Sequence, residues 1–216
     1  MCNILRVQWT IIPRIAPQPW IVCSGCGGLK PFQSSGKIRL NANGKKLDAW
    51  LIYKCLTCDK TWNRSIFERQ NVRDINPATF KALQSSDPEW IRTKAFDIDA
   101  LRRDAHRIDE FGDVDVYKSA LSKDGADWKT LEIELVVPLR TSMRLDRLLA
   151  TELSISRSRL EAFHGAEKLR TDPDHKDMLR RRIKHGLRMT LDLSKETDLE
   201  EVWKAAVDGS GSSEDI

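Results

Sequence analysis

Residues 23–58 read CSGCGGLKPFQSSGKIRLNANGKKLDAWLIYKCLTC, and this stretch decides the fold of the first third of the chain. It opens on Cys23 and Cys26, closes on Cys55 and Cys58, and places 28 residues between the two CxxC pairs. Residues 37–40 and 47–54 read as strands joined across Asn43-Gly44, a dipeptide that accepts the positive φ of a tight hairpin turn. The second strand delivers the chain directly into Cys55. A thiolate pair at i and i+3 on a tight knuckle spans two corners of a tetrahedron, and a hairpin that joins two knuckles supplies all four. Gly25, Gly27 and Gly28 suit a knuckle whose amides turn towards sulfur, while Lys54 and Lys60 temper the charge of four thiolates. The spacing therefore predicts a structural Zn2+ on Cys23, Cys26, Cys55 and Cys58, with no open position for a catalytic water. A redox dithiol and an iron–sulfur cluster are the alternatives. A thioredoxin-like CxxC wants a βαβ setting, however, and does not need a second pair. Trp50 and Trp62 are expected to pack around the site.

Working outward, residues 5–12 are rich in Val, Ile and Trp and read as a strand ended by Pro13 and Pro17. Residues 20–22 form a short apolar piece before Cys23. Residues 1–70 are thus expected to be a small zinc-ribbon-like antiparallel module. The texture then turns helical. Asn76-Pro77 and Asp87-Pro88 each supply an N-cap followed by a proline at the first helical position, predicting helices to residues 83 and 95. A third helix is expected over 97–107, with Ile98, Leu101 and Ala105 on one face. Strands over 114–120 and 131–137, separated by a turn-rich 123–127, complete a helical and β-hairpin middle region, residues 71–137.

After Pro138 a helix is expected over 144–153, with Leu145, Leu148 and Leu149 on one face. Ser154 or Ser156 caps a second helix to residue 163, ended by Gly165. Strands follow over 168–171 and 187–193, joined by a basic connector over 178–184, and an acidic amphipathic helix runs over 197–207. Residues 138–208 form the third segment. Residues 209–216 are Gly, Ser and acidic, a composition that favours disorder. The fold class predicted is α+β.

The chain has 216 residues, 40% hydrophobic and 31% charged, within the range of ordinary globular proteins. No apolar run reaches the roughly 20 residues needed to cross a bilayer, and the N-terminus lacks a signal-peptide pattern. The expected location is the cytoplasm, without a membrane partner, and five cysteines there argue against a disulfide framework. Cys2 stands apart from the two pairs. The net charge of +4 conceals segregation. Residues 20–69 carry 9 Lys+Arg against 3 Asp+Glu, and residues 138–195 carry 14 against 8. Residues 70–137 carry 10 against 14, and residues 196–216 carry 1 against 7. Basic blocks raise the odds of a polyanion partner, although basic faces also dock on acidic ones within a molecule.

The stretch Arg144-Leu-Asp-Arg-Leu-Leu-Ala-Thr-Glu-Leu-Ser-Ile-Ser-Arg-Ser-Arg-Leu resembles the opening of an S4 RNA-binding domain. In that family two packed helices and a small sheet present a basic face to structured RNA. The physical chemistry agrees. Arg157 and Arg159 fall in the first turn of a helix whose amides and dipole favour phosphate. Arg144 and Arg147, three residues apart, share one helical face. The resemblance implies further contacts from Lys168, Arg170, Lys184 and Arg188, with ribosomal or transfer RNA as the expected partner. It weakens across the charged insertion of residues 171–183 and returns at Lys184-His-Gly-Leu-Arg-Met-Thr-Leu191, which is similar to the final strand. The bland alternative is that Asp146 and Arg147 form a surface ion pair and the helices only pack.

The whole chain also resembles a bacterial family of uncharacterised proteins. The likeness lies in Leu5-Arg-Val-Gln-Trp-Thr, Cys23-Ser-Gly-Cys-Gly-Gly, Arg39-Leu-Asn-Ala-Asn-Gly, Asp48-Ala-Trp-Leu-Ile-Tyr-Lys-Cys55 and Arg144-Leu-Asp-Arg. It implies that the zinc and S4-like regions travel together, and it supplies no activity.

No hydrolase elbow, P-loop or dinucleotide fingerprint is present. The four histidines are scattered, and Asp172, Asp174, His175 and Asp177 read as a solvated turn rather than a metal site. The sequence thus points to a zinc-containing RNA-binding protein, not an enzyme. A protein-interaction scaffold with purely structural zinc is the alternative, and an enzyme with an unrecognised site stands third.

Overall fold

The computed structural model describes residues 3–122, 128–175, 177–194, 196 and 200–208. Cys2, the 123–127 turn, the expected start of the last helix at Thr197 and the 209–216 tail lie outside the described residues. The elements run β1 (Ile4–Pro13), β2 (Gln18–Cys23), β3 (Gly28–Asn43), β4 (Lys46–Cys55) and β5 (Thr61–Asn71). Three helices follow, α1 (Pro77–Ser85), α2 (Pro88–Ala95) and α3 (Ile98–Leu101), then β6 (Arg107–Asp109), β7 (Val114–Ser122) and β8 (Thr130–Val136). Next come α4 (Leu145–Glu152), α5 (Arg157–Gly165), β9 (Leu169–Asp172), β10 (Arg188–Asp192) and α6 (Glu200–Val207). The fold is mixed α+β with two sheets. No helix among the described residues is long and apolar enough to cross a membrane.

The chain divides into two compact units, Ile15–Phe111 and Met1–Arg14 with Gly112–Ile216. These limits differ from the segments drawn from sequence at residues 70 and 137, and the cause is strand pairing. β1 does not join the cysteine-bearing strands. It pairs antiparallel with β7 and parallel with β8, more than a hundred residues away in sequence. β7 and β8 therefore do not form a hairpin with each other, because β1 lies between them.

The unit of residues 15–111 is a five-stranded antiparallel sheet in the order β5-β4-β3-β2-β6. In β4, which lies between β5 and β3, Leu47, Ala49, Leu51, Tyr53 and Cys55 are buried and the residues between them are not. This period of two aims one face at the core and puts Cys55 on that face. The β3–β4 hairpin closes as expected, but one residue along. Asn43 pairs with Lys46, and Gly44 takes the positive φ of +59° at the first turn position. The caps are also as predicted. The Asn76 side chain accepts from the amides of Ala78 and Thr79, and that of Asp87 accepts from the Trp90 amide.

Two elements of this unit depart from expectation. The third helix stops at Leu101, because residues 107–109 are taken up as an edge strand beside β2. Trp20 holds them there through an indole hydrogen bond of 2.7 Å to Asp109, with Arg107 stacked 5.1 Å above its ring. Strand β5 was not anticipated. It is an edge strand whose register against β4 slips twice, and its buried positions do not alternate.

The other unit is a sheet in the order β7-β1-β8-β10-β9, with α4, α5 and α6 contributing to its core. Leu5, Val7, Trp9 and Ile11 of β1 are buried, as are Leu131, Ile133 and Leu135 of β8. They join Leu145, Leu148 and Leu149 of α4, Leu160 and Phe163 of α5, and Val202 and Ala206 of α6 in one cluster. At about 25 cal/mol per Å2 of apolar surface removed from water, such a cluster supplies the main driving force for this unit.

Candidate metal centre

Each CxxC pair sits on a turn between two adjacent strands. Cys23 ends β2 and Gly28 begins β3, while Cys55 ends β4 and the chain re-enters the sheet at Thr61. The two turns are built alike. The Gly27 amide donates to the Cys23 carbonyl at 2.9 Å, and the Asp59 amide donates to the Cys55 carbonyl at 3.0 Å. The residue after each second cysteine is left-handed, Gly27 at φ +69° and Asp59 at φ +57°. Glycine adopts that conformation without steric cost, and aspartate is among the few other residues that tolerate it. Gly25 is needed for another reason. A Cβ at this position would stand 3.1 Å from the Cys58 sulfur, so any larger residue would push that sulfur aside by a few tenths of an ångström.

The four sulfurs lie within 4.8 Å of one another. Cys23 Sγ is 3.5 Å from Cys58 Sγ, and Cys26 Sγ is 4.0 Å from Cys55 Sγ. A tetrahedral ion with bonds of about 2.3 Å to sulfur requires sulfurs about 3.8 Å apart, which these distances bracket. The cluster is graded in exposure: Cys23 and Cys55 are buried, Cys26 is half-buried and Cys58 is exposed. Burial pushes the Cys55 thiol up, but hydrogen bonds from the amides of Thr57 and Cys58 and from the Cys23 and Cys58 thiols together bring it down to about 7. The Cys26 thiol, hydrogen-bonded to Cys58 and desolvated, is pushed up to about 12. Four soft donors at these separations fit a thiophilic metal ion. Among the described residues this is the one group of His, Cys, Asp and Glu side chains that could hold such an ion, and the Asp172–Asp177 turn forms no second one.

Behind the knuckles, Trp62 packs as expected, 5.2 Å from the Tyr53 ring and 6.4 Å from that of Phe32. Trp50 does not share that position. It lies one residue off the buried register of β4, and therefore on the opposite face. There it stacks beneath Arg39 at 6.0 Å and donates to Glu68 at 3.3 Å.

The basic residues of the other unit are largely paired. Arg144 grips Asp146 at 2.6 Å, so the carboxylate expected to meet Arg147 meets Arg144 instead, while also accepting from the Arg147 amide. Arg159 and Lys168 converge on Glu196 at 2.7 and 3.0 Å, holding its carboxyl below the usual range. Arg170 pairs with Glu167 and Arg188 with Glu134. Among the described residues Arg147, Arg157 and Lys184 pair with no carboxylate. Ser156 caps α5, accepting from the Arg159 amide at 3.3 Å.

One relationship was invisible in sequence. The Leu145 amide donates to Arg181, the Ile183 amide donates to Met143, and Arg144 bridges Arg182. The supposed insertion thus lies against the start of α4 and brings Arg181, Arg182 and Lys184 beside it.

A mixed α+β chain with a four-cysteine centre is the class that fold and site define. The chain belongs to a family of proteins of unknown function (DUF1062), whose model matches residues 40–175. No curated protein and no solved structure matches it.

Proposed function

We propose that this is a cytoplasmic RNA-binding protein in which zinc staples the cysteine-bearing unit, in the manner of a zinc ribbon, and an S4-like α4–α5 element contacts structured RNA. Ribosomal or transfer RNA is the partner the chemistry suits. In this reading the protein is not an enzyme, and the zinc is saturated by thiolate. The observation that carries it is the clustering of Arg181, Arg182 and Lys184 against the start of α4 by main-chain pairing with residues 143–145. Arg147 and Arg157, without carboxylate partners among the described residues, extend the surface that phosphates would meet. The test is retention of nuclease-treated protein on structured RNA across a salt series. Binding should fall steeply with salt, and Arg147→Glu with Arg157→Glu should weaken it by about ten-fold or more. Salt-independent retention, or none, contradicts the proposal.

A second reading, a protein-interaction scaffold, is favoured by a separate observation. Val22, Leu29 and Leu56 are 64, 46 and 51% exposed, and all three lie beside the knuckles. Val22 and Leu29 face each other across β2 and β3. Exposed apolar groups gathered at one site commonly mark a contact surface. Replacing the three with Ser would abolish partner capture under this reading and leave RNA retention unchanged under the first.

A further inference from the structure

The segment that folds back on α4 also walls a cavity of about 150 Å3. Its apolar sides come from Pro173, Met178 and Leu187, the last two buried. Its lining also includes Arg181, Arg182 and Lys184 together with His175 and His185. Among the described residues neither Arg181 nor Lys184 pairs with a carboxylate.

The site is held in shape by main-chain bonds. The Arg181 carbonyl accepts from Leu145, Ile183 donates to Met143, and Gly186 donates to Leu135 at 2.9 Å. His185 is oriented as well. The Val137 amide donates to its Nδ1 at 3.3 Å, so the proton of the neutral ring sits on Nε2. A cavity of this size with apolar walls holds about one aromatic ring. Arg181, a forked guanidinium, and Lys184, an ammonium, both in its lining, suit an anion better than a neutral group.

We propose that this cavity binds a ring-bearing phosphate, the ring seated against Pro173, Met178 and Leu187 and the phosphate held by Arg181 and Lys184. Such a group is available either as a free mononucleotide or as one nucleotide of an RNA strand. The site goes beyond the RNA reading and stands without it.

The test is titration of the full-length, metal-loaded protein with phenyl phosphate, followed at the amide resonances of Gly186 and Leu187. Phenyl phosphate should move both to saturation. Phenol and inorganic phosphate, each offering half of the interaction, should bind about ten-fold more weakly. Arg181→Glu and Lys184→Glu alter exposed side chains and should each weaken phenyl phosphate by about ten-fold with the fold intact, as checked by the unchanged remainder of the spectrum. Unmoved resonances, or an affinity unchanged from the parent protein in both variants, overturn the proposal.

Uridine monophosphate and a short single-stranded RNA separate the two sources. Displacement of phenyl phosphate by the strand identifies a nucleotide in a chain, and displacement by the mononucleotide alone identifies a free ligand. Phenyl phosphate binding that persists while structured RNA is not retained sustains the pocket and removes the RNA reading.

Discussion

Lys118 stands directly opposite Trp9 across the β1–β7 pair, its ammonium 4.9 Å from the centre of the indole ring. Both side chains serve the C-terminal helix. Trp9 donates to the Ala206 carbonyl at 3.0 Å, and Lys118 donates to Ala205 at 2.7 Å and Asp208 at 3.3 Å. The ammonium also meets the Glu152 carboxylate at 2.7 Å and is only 3% exposed. A helix leaves its last carbonyls unsatisfied, and here a lysine from the sheet accounts for two of them.

Lys118→Met keeps the stem but strands Glu152 and those carbonyls. It should destabilise the unit by about 3 kcal/mol, the cost of breaking a buried pair from one side. Chemical denaturation gives the loss, and hydrogen exchange should show α6 amides losing protection first. An unchanged midpoint would mean that α6 docks through Val202, Ala206 and the Trp9 hydrogen bond without help from Lys118.

The Tyr53 hydroxyl is buried without a hydrogen-bond partner among the described residues, and burial pushes it up to about 12. Its ring, by contrast, packs on Trp62 and beneath Arg64. Tyr53→Phe should therefore leave stability unchanged or raise it by up to about 1 kcal/mol. Tyr53→Ala, which removes the ring, should cost about 3 kcal/mol or more. A marked loss in the Phe variant would show that the hydroxyl is satisfied in solution.

Glu196 holds Arg159 and Lys168, two of the cations assigned to RNA. Its carboxyl is lowered by those partners, so its stabilisation is complete above the unfolded value near 4.5 and is lost as pH falls through the lower folded value. Glu196→Gln should cost no more than about 1 kcal/mol at neutral pH, and the difference from the parent should vanish in acid. The same change frees two cations, so RNA affinity should rise with a steeper salt dependence. A variant that binds RNA less tightly would place Glu196 on the binding side of the interface.

Much of this fold is legible in the sequence because its signals are local. The Asn43-Gly44 turn, the capped starts at Asn76 and Asp87, and the period-two burial of β4 each need fewer than about ten residues to recognise. Both knuckles of the cysteine centre read in the same way. What stays hidden is partnership. Their Val, Ile and Trp mark residues 5–12 as a strand, but nothing in them says that Val7 will lie opposite Ile133, in a sheet separate from the cysteine-bearing one. Bulges in β5 break its period, and β6 is too short to show one. The arginines are legible as charge, but their pairing is not: Glu196 lies 37 residues beyond Arg159, and Glu134 lies 54 before Arg188.

On the proposed reading, Cys23, Cys26, Cys55 and Cys58 hold one zinc ion and the unit of residues 15–111 depends on it. X-ray absorption at the zinc edge, on protein purified without added metal, tests it most directly. The expected result is one zinc per chain with four sulfur ligands at about 2.3 Å, lost in a Cys55→Ser, Cys58→Ser variant. Iron in place of zinc, nitrogen or oxygen among the ligands, or a metal-free chain with paired disulfides would contradict it.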